Sequence, residues 1–296
     1  MADWGLCTTV KAPAEQVLAF VAHHLGLGAA RLWLYFDDPE DPAAGALAGL
    51  DRVTVIRCDA DWWKGDRPEA HQNRQGRNMK RTWRAARLPW VGHIDVDEFL
   101  LPDAPIARAL AAVPGDQPQV RLAPWEALHD PALPDDIFTA RHFRAQMGGA
   151  AQAANRIRVF GPYAPLLPSG MLSHSAGKCF FRTGVPGLQP RLHGAFIAGQ
   201  RLDGGDFHPG IALLHFHAED PARWKHRLQF RLTRGAYKFN PALQAHLAAA
   251  DAGGIDAFFD RVQTPSPECL ALLGRLGLLR TTRLGLREKV AALTGA

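Results

Sequence analysis

An α/β fold is what this sequence predicts: a mixed sheet flanked by helices, with a helical extension at its C-terminal end. Three observations carry the prediction. Strand-like and helix-like segments alternate through the first third of the chain, the pattern of parallel strands joined by crossover helices. The apolar run Trp90–Ile94 ends in a cluster of acids, Asp95, Asp97 and Glu98. From Pro221 onward the spacing of large apolar residues returns to that of helices.

Leu6–Val10 reads as a short strand, and the turn at Ala12-Pro13 leads into a helix over Ala14–Leu25. On that helix Val17, Leu18, Val21 and Leu25 form one stripe, and Gly26 and Gly28 end it. Arg31–Phe36 is the second strand, closed by the acidic turn Asp37-Asp38-Pro39-Glu40-Asp41, and Val53–Cys58 is the third. A long helix over Pro68–Arg87 precedes the strand Trp90–Ile94. Pro and Gly are then dense through Pro114–Pro209. Strands expected at Gln119–Leu122, Arg156–Phe160, Lys178–Arg182 and Ile211–Phe216 are separated there by long loops, which often carry substrate contacts. Trp224, Leu228 and Leu232 then recur at helical spacing, and residues 268–293 form a final stretch rich in leucine and arginine.

The 296 residues are 47% hydrophobic and 21% charged, an ordinary globular composition that excludes wholesale disorder. A net charge of +5 suits an anionic substrate such as a nucleoside diphosphate, or an acidic membrane surface. Nucleic acid is not an expected partner, because the basic residues form no long tract and no binding motif. Cys7, Cys58, Cys179 and Cys269 are scattered without a C-x-x-C pair and read as reduced core residues. Asp3 and Lys11 interrupt the pattern of a signal peptide, and no apolar run is long enough to span a bilayer, so a cytoplasmic protein is expected.

The acid cluster carries the chemistry. Ligands of open α/β sheets bind in the crevice outside the carboxyl ends of the strands. On an extended backbone Asp95 and Asp97 would share a face, and two crowded carboxylates call for a cation, for which oxygen ligands suit Mg²⁺ or Mn²⁺. The bland alternative is a pair of solvated acids at a strand end. His215 and His217, two apart on the strand Ile211–His217, also share a face and read either as metal ligands or as satisfied core residues. Trp62, Trp63 and Trp125 are candidates for stacking on a base or sugar ring, or for the core.

Several segments together point to a family. They are Val21-Ala22-His23-His24 followed by Leu27-Gly28, Trp33-Leu34-Tyr35-Phe36 running into Asp37 and Asp41, and Ile94-Asp95-Val96-Asp97-Glu98-Phe99. Lys178 with Arg182, His193-Gly194 and Leu214-His215-Phe216 follow in the expected order. With these the chain resembles the bacterial family 2-like glycosyltransferases of the GT-A fold, in the D-x-D-E-F subgroup related to the family 92 glycosyltransferases. The resemblance implies a nucleotide-diphospho-sugar transferase fold, Rossmann-like, over residues 1–240. Its nucleotide-binding half would be 1–115 and its acceptor and metal half 116–240, with 241–296 as the helical extension.

The activity so implied is transfer of a sugar, with inversion, from a nucleoside diphosphate sugar, first of all a UDP-sugar. The acceptor would be a glycan or lipid-linked acceptor in surface polysaccharide synthesis. By the family pattern Asp97 would bind Mn²⁺ or Mg²⁺, Asp95 would approach the ribose or share the metal, and Glu98 would support them. His215 would complete the metal site with His217 beside it. Lys11, Asp37, Arg74 and Lys178 are candidate nucleotide contacts, with Lys178 facing either the nucleotide or the acceptor. Glu126 is the first candidate for the general base, with Asp206 and Asp130 behind it. Lys11-Ala12-Pro13 stands where family members usually read Lys-Asn-Glu. That departure speaks for a second class of function, a non-catalytic nucleotide or sugar binder; a third is a metal-dependent phosphohydrolase using the same acids and histidines.

Cys269–Val290 carries Arg275, Arg280, Arg283, Arg287 and Lys289 among leucines. It reads either as a basic amphipathic helix lying peripherally on an anionic membrane or as a helical cap or oligomer contact.

Overall fold

Two units share the chain, and neither is continuous in sequence. The first comprises Met1–Ala123, Ala176–Leu213 and Gly285–Ala296, the second Pro124–Ser175 and Leu214–Leu284. The computed structural model describes residues 1–133 and 137–295. The boundary expected at residue 240 coincides with neither unit.

In chain order the first unit opens with β1 (Trp4–Val10), α1 (Ala14–Gly26), β2 (Arg31–Phe36), α2 (Ala43–Leu47) and β3 (Val53–Arg57). It continues with α3 (Ala60–Trp63), α4 (His71–Ala85), β4 (Trp90–His93), β5 (Glu98–Pro102) and α5 (Ile106–Ala111). Strand β6 (Gln119–Ala127) starts in the first unit and ends in the second, which continues with β7 (His142–Ala145) and α6 (Ala153–Phe160). The chain re-enters the first unit for β8 (Lys178–Arg182), β9 (Leu188–Arg191), β10 (Gly194–Ile197), β11 (Gln200–Arg201) and most of β12 (Phe207–His215). The second unit then takes α7 (Pro221–His226), α8 (Leu228–Thr233), α9 (Pro241–Ala249), α10 (Ala252–Gln263), α11 (Pro267–Arg275) and β13 (Leu279–Thr281). Finally α12 (Leu286–Thr294) returns to the first unit.

In the first unit β3, β2, β1 and β4 lie side by side, all parallel. Strand β8 runs antiparallel beside β4, and the start of β6 antiparallel beside β8. The parallel part, β3-β2-β1-β4, is what the alternation predicts, and the mixed, Rossmann-like α/β sheet as a whole is the one the resemblance implies. Strand alternation separates two cores. Leu6, Leu32, Leu34 and Phe36 meet Val17, Phe20 and Val21 of α1 on one face, while Cys7, Tyr35, Val91 and Phe181 meet Met79 of α4 on the other. Cys7, Cys58 and Cys179 are buried free thiols.

Helix α4 is held by a polar stripe. Gln75, Asn78, Met79 and Thr82, at helical spacing, are its buried residues. Asn78 donates to Thr9 Oγ1 at 3.1 Å, and the Thr82 and Tyr35 hydroxyls bond at 2.7 Å. Two α1 histidines meet β5. His23 Nε2 lies 2.8 Å from the Leu100 carbonyl, and the Leu100 N–H donates to His24 Nε2 at 3.3 Å. Both rings are therefore neutral, with fixed tautomers. Lys289 of α12 reaches His23 Nδ1 at 3.1 Å, so the last helix packs on α1.

In the second unit the end of β6 pairs antiparallel with β7, and β7 with β13. Its core gathers Phe160, Trp224, Tyr237, Phe258 and Phe259. Three expectations are corrected here. The strand expected at Arg156–Phe160 is helix α6, because the alanine-rich lead-in Ala150–Ala154 favours helix and only Val159 and Phe160 need burial. The helix expected from Pro221 is broken at Arg227 into α7 and α8. Cys269–Val290 is not one basic helix: Gly277 and Gly285, at φ 67° and 59°, divide it into α11, β13 and α12. Among the described residues no helix is long and apolar enough to cross a membrane.

Candidate functional site

Strands β1, β2 and β4 deliver Lys11, Asp37 and Asp95 just past their carboxyl ends, where an open parallel sheet presents ligands. Lys11 is exposed. Asp37 is 7% exposed and gripped by a fork: Arg74 donates from Nε to Oδ1 at 2.7 Å and from Nη2 to Oδ2 at 2.8 Å. Arg67 adds a contact of 3.1 Å. Burial alone would raise the Asp37 carboxyl, but Arg74 and Arg67 outweigh it and hold it below the ordinary carboxylate range. Arg74 Nη1 also donates to the carbonyls of Pro68 and Glu69. Arg74 thus fastens the loop before α4 to the end of β2, and its donors are engaged without a nucleotide.

Asp95 and Asp97 do not lie on an extended backbone. Strand β4 ends at His93, and the Glu98 N–H donates to the Asp95 carbonyl at 3.0 Å, closing a turn. The shared-face expectation therefore fails, and the turn brings Glu98 to the centre. Its Oε2 accepts from the Asp95 N–H at 2.7 Å. Lys178, first residue of β8, donates to Asp95 Oδ2 at 2.6 Å and lies 3.3 Å from Glu98 Oε2. Gln75 of α4 donates to Asp95 Oδ1 at 2.6 Å. The cation that crowded carboxylates call for is here the Lys178 ammonium. A divalent ion on Asp95 would meet that positive charge, so Asp95 does not fit the role of metal ligand in this arrangement. Lys178, 1% exposed, is likewise the counterion of the acids and not a surface donor to phosphate.

Burial would lower the Lys178 ammonium, but Asp95 and Glu98 hold it above the ordinary lysine range. Burial pushes the Glu98 carboxyl up to about 8, Lys178 pulling the other way and Asp95 reinforcing burial. His93 and His193 sit within the same field: burial first, then the Lys178 charge, takes them down to about 3 and about 4. Neither ring nitrogen of His93 has a hydrogen-bond partner among the described residues, whereas His193 Nδ1 bonds the Gly177 carbonyl at 2.7 Å. Gly177, at φ 69°, must be glycine, because a Cβ there would lie 2.1 Å from the Leu122 carbonyl oxygen.

These shifts set the pH dependence of stability. His23, taken down to about 4 by burial and Lys289, joins His93 and His193 as bases whose folded values lie below the ordinary 6.5. Their contribution is present above pH 6.5 and is lost as pH falls, since the unfolded chain takes up protons first. Glu98 acts oppositely: its raised value contributes below pH 4.5 and is lost as pH rises through about 8. Three histidines outweigh one glutamate in the overlap, so urea unfolding should show maximal stability near pH 6.5, falling on both sides. Glu98→Gln should remove the alkaline fall alone; a flat profile from pH 5 to 8 would contradict this.

In the second unit Glu126 is fully buried. Its carboxylate accepts from Arg144 Nη2 at 2.8 Å, the Ser173 N–H at 2.7 Å, the Leu172 N–H at 3.1 Å and Gln263 at 3.3 Å. Such a group ties strands to a loop and cannot reach an acceptor hydroxyl, so Glu126 is corrected from base to structural carboxylate. Asp130 is paired with Arg141 at 2.7 Å. His217 Nε2 bonds the Tyr237 hydroxyl at 3.1 Å and also meets Arg231, whose charge, after burial, drives the ring well below its ordinary value. A nitrogen so committed beside a guanidinium does not fit a metal. His215 is buried, its ring 5.5 Å from that of His174 and 5.3 Å from that of His217. Trp125 lies under Arg280, with 5.0 Å from guanidinium to ring.

Back in the first unit, Asp97 is half-buried and Asp206 is exposed just before β12, where the next residue, Phe207, packs against Gly177. Trp63 is core and Trp62 stacks under Arg81 at 4.2 Å. Sequence reasoning missed Gln75 and His93, and gave His193 no role beyond its place in the family pattern. The only signal for Gln75 was its helical spacing from Asn78 and Thr82.

No family model matches the chain, and no curated protein matches it. Among solved structures it is similar to HddC from Yersinia pseudotuberculosis, at 11% identity over 47% of this chain and 67% of that one, with a TM-score of 0.30. It is also similar to CMP:2-keto-3-deoxy-manno-octonic acid synthetase complexed with CTP, at 14% identity over 99% of each chain, with a TM-score of 0.29.

Proposed function

We propose that this protein is a glycosyltransferase that takes a sugar from a nucleoside diphosphate sugar, a UDP-sugar first of all, and moves it to a glycan or lipid-linked acceptor. The observation that carries the reading is the pair of clamped carboxylates at the ends of β2 and β4, on either side of β1. Asp95 is clamped by Lys178 and Gln75 while 27% of its side chain stays accessible, which suits an acceptor for ribose or sugar hydroxyls. The resemblance of the Asp95-Val96-Asp97-Glu98-Phe99 segment to the family signature adds support. Lys11 is the proposed phosphate contact and Asp206 the proposed base for the acceptor proton. A divalent ion would neutralise the departing diphosphate. Asp97 is the residue proposed to meet it, and no step of the reading depends on a metal at Asp95, His215 or His217.

The test is a thermal-shift screen of the protein and Asp97→Ala against UDP, GDP, CDP and dTDP, each with Mn²⁺, Mg²⁺ or EDTA. A ligand at about a hundred times its Kd adds about 2.7 kcal/mol to the native state. A shift with one nucleotide, lost in Asp97→Ala, is the expected outcome. No shift with any nucleotide sinks the proposal.

A further inference from the structure

The basic, apolar character expected of the last helix is found elsewhere, on the segment that carries α7 and α8. Residues 221–250 contain six Lys and Arg and no Asp or Glu. Arg223 pairs with Glu219 and Asp220, Lys225 with Asp256, and Arg231 is buried, which leaves Arg227, Arg234 and Lys238 as the exposed cations outside those pairs. The inner side of this segment is anchored. Trp224, Leu232 and Tyr237 are buried in the core of the second unit, and Arg231 Nη2 donates to the His217 carbonyl at 2.7 Å. Its outer side presents Phe230 at 51% and Phe239 at 76% exposure, two of the four large apolar side chains exposed among the described residues. Around each phenylalanine the neighbours are cations. Arg227 and Arg234, at i−3 and i+4 from Phe230, are exposed at the two ends of α8. Lys238 Nζ sits 4.8 Å from the Phe239 ring centroid.

We infer that this segment is a peripheral docking surface for an anionic lipid bilayer. Exposed cations such as Arg227, Arg234 and Lys238 are drawn to the negative surface of such a membrane, and each contributes independently. The phenyl rings, which have no polar handle, then enter the headgroup boundary and leave water. Nucleic acid would be served by the same charge, but the cations are confined to one short helical segment and form no tract along which a strand could run. This inference concerns the second unit alone and does not rest on the proposed transferase activity.

Co-sedimentation of the full chain with two vesicle types tests it: phosphatidylcholine alone, and phosphatidylcholine with phosphatidylglycerol. Three variants are compared, Arg227→Gln/Arg234→Gln/Lys238→Gln, Phe230→Ala/Phe239→Ala, and the control Arg275→Gln/Arg283→Gln. All seven side chains are exposed, so unchanged thermal melts are expected and exclude unfolding as the cause. The parent protein should pellet with the anionic vesicles only and be released by salt. The triple charge variant should lose roughly a hundredfold in partitioning and the double phenylalanine variant roughly tenfold, with the control unaffected. Failure of the parent to pellet, equal pelleting of all variants, or loss confined to the control would each overturn the inference. Binding of single-stranded RNA through the same residues, without vesicle binding, would reassign the surface to nucleic acid.

Discussion

Lys178→Met should destabilise the protein by about 3–5 kcal/mol at pH 8, the range for removing one partner from a buried ion pair. The substitution keeps most of the side chain's volume, so the loss is of charge and not of packing. Asp95 and Glu98 would face each other with no ammonium at 2.6 and 3.3 Å, and Glu98, fully buried, has no water to turn to. Glu98, already raised by burial, would respond by taking up a proton, which gives the prediction its signature. As pH falls, Glu98 in the variant becomes neutral, the repulsion between the two carboxyls goes with its charge, and the penalty shrinks. Urea unfolding at pH 8 and pH 5 should therefore show a deficit that is large at the first and small at the second. The same deficit at both would mean that Lys178 matters for packing. A second readout bears on the cation. If the ammonium fills the place a divalent ion would take at Asp95, Mn²⁺ should stabilise Lys178→Met more than it stabilises the parent.

The sheet was legible because its signal is apolar and local. Arg31–Phe36 and Lys178–Arg182 are strands with the bounds read from sequence, since each is a short run of aromatic and other apolar residues between polar breaks. The position of Asp37 and Asp95 at strand ends followed from the same runs. What surrounds those acids did not follow, for two reasons. Periodicity reasoning counts apolar residues, whereas α4 buries Gln75, Asn78 and Thr82, a stripe that looks like a solvated face. Pairing is also non-local: Lys178 is 83 residues from Asp95, and nothing near either residue announces the other. The turn at Asp95–Glu98 is hidden differently, since alternation through Asp97 runs four residues past the true end of β4 at His93. In the C-terminal stretch, charge and leucine content suit one amphipathic helix, and Gly277 and Gly285 mark the places where it breaks.

Glu126 shows how far residue type can mislead about role, and its replacement is the other large effect expected. An acid beside a tryptophan near the end of a strand reads as a base, yet the register sets Glu126 directly opposite Arg144 across β6 and β7, with both side chains buried. Glu126→Gln keeps the shape but removes the charge that balances Arg144. It also turns an amide NH₂ toward groups that need an acceptor, the N–H groups of Leu172 and Ser173. A cost of about 3–5 kcal/mol is expected. Arg144→Met should cost a similar amount, with the added loss of its 2.7 Å bond to the Val262 carbonyl. Because each single change strands the other's charge, the double variant Glu126→Gln/Arg144→Met should be less destabilised than the sum of the two. The deviation from additivity should lie at the upper end of the roughly 0.5–3 kcal/mol typical of contacting residues. A general base predicts the opposite pattern: an unchanged melting temperature, retained nucleotide binding and no turnover in Glu126→Gln. Melting curves of the three variants separate the two roles before any acceptor is known. Additive losses, or none, would return Glu126 to the list of candidate bases, whereas strong coupling leaves Asp206 as the acid to pursue.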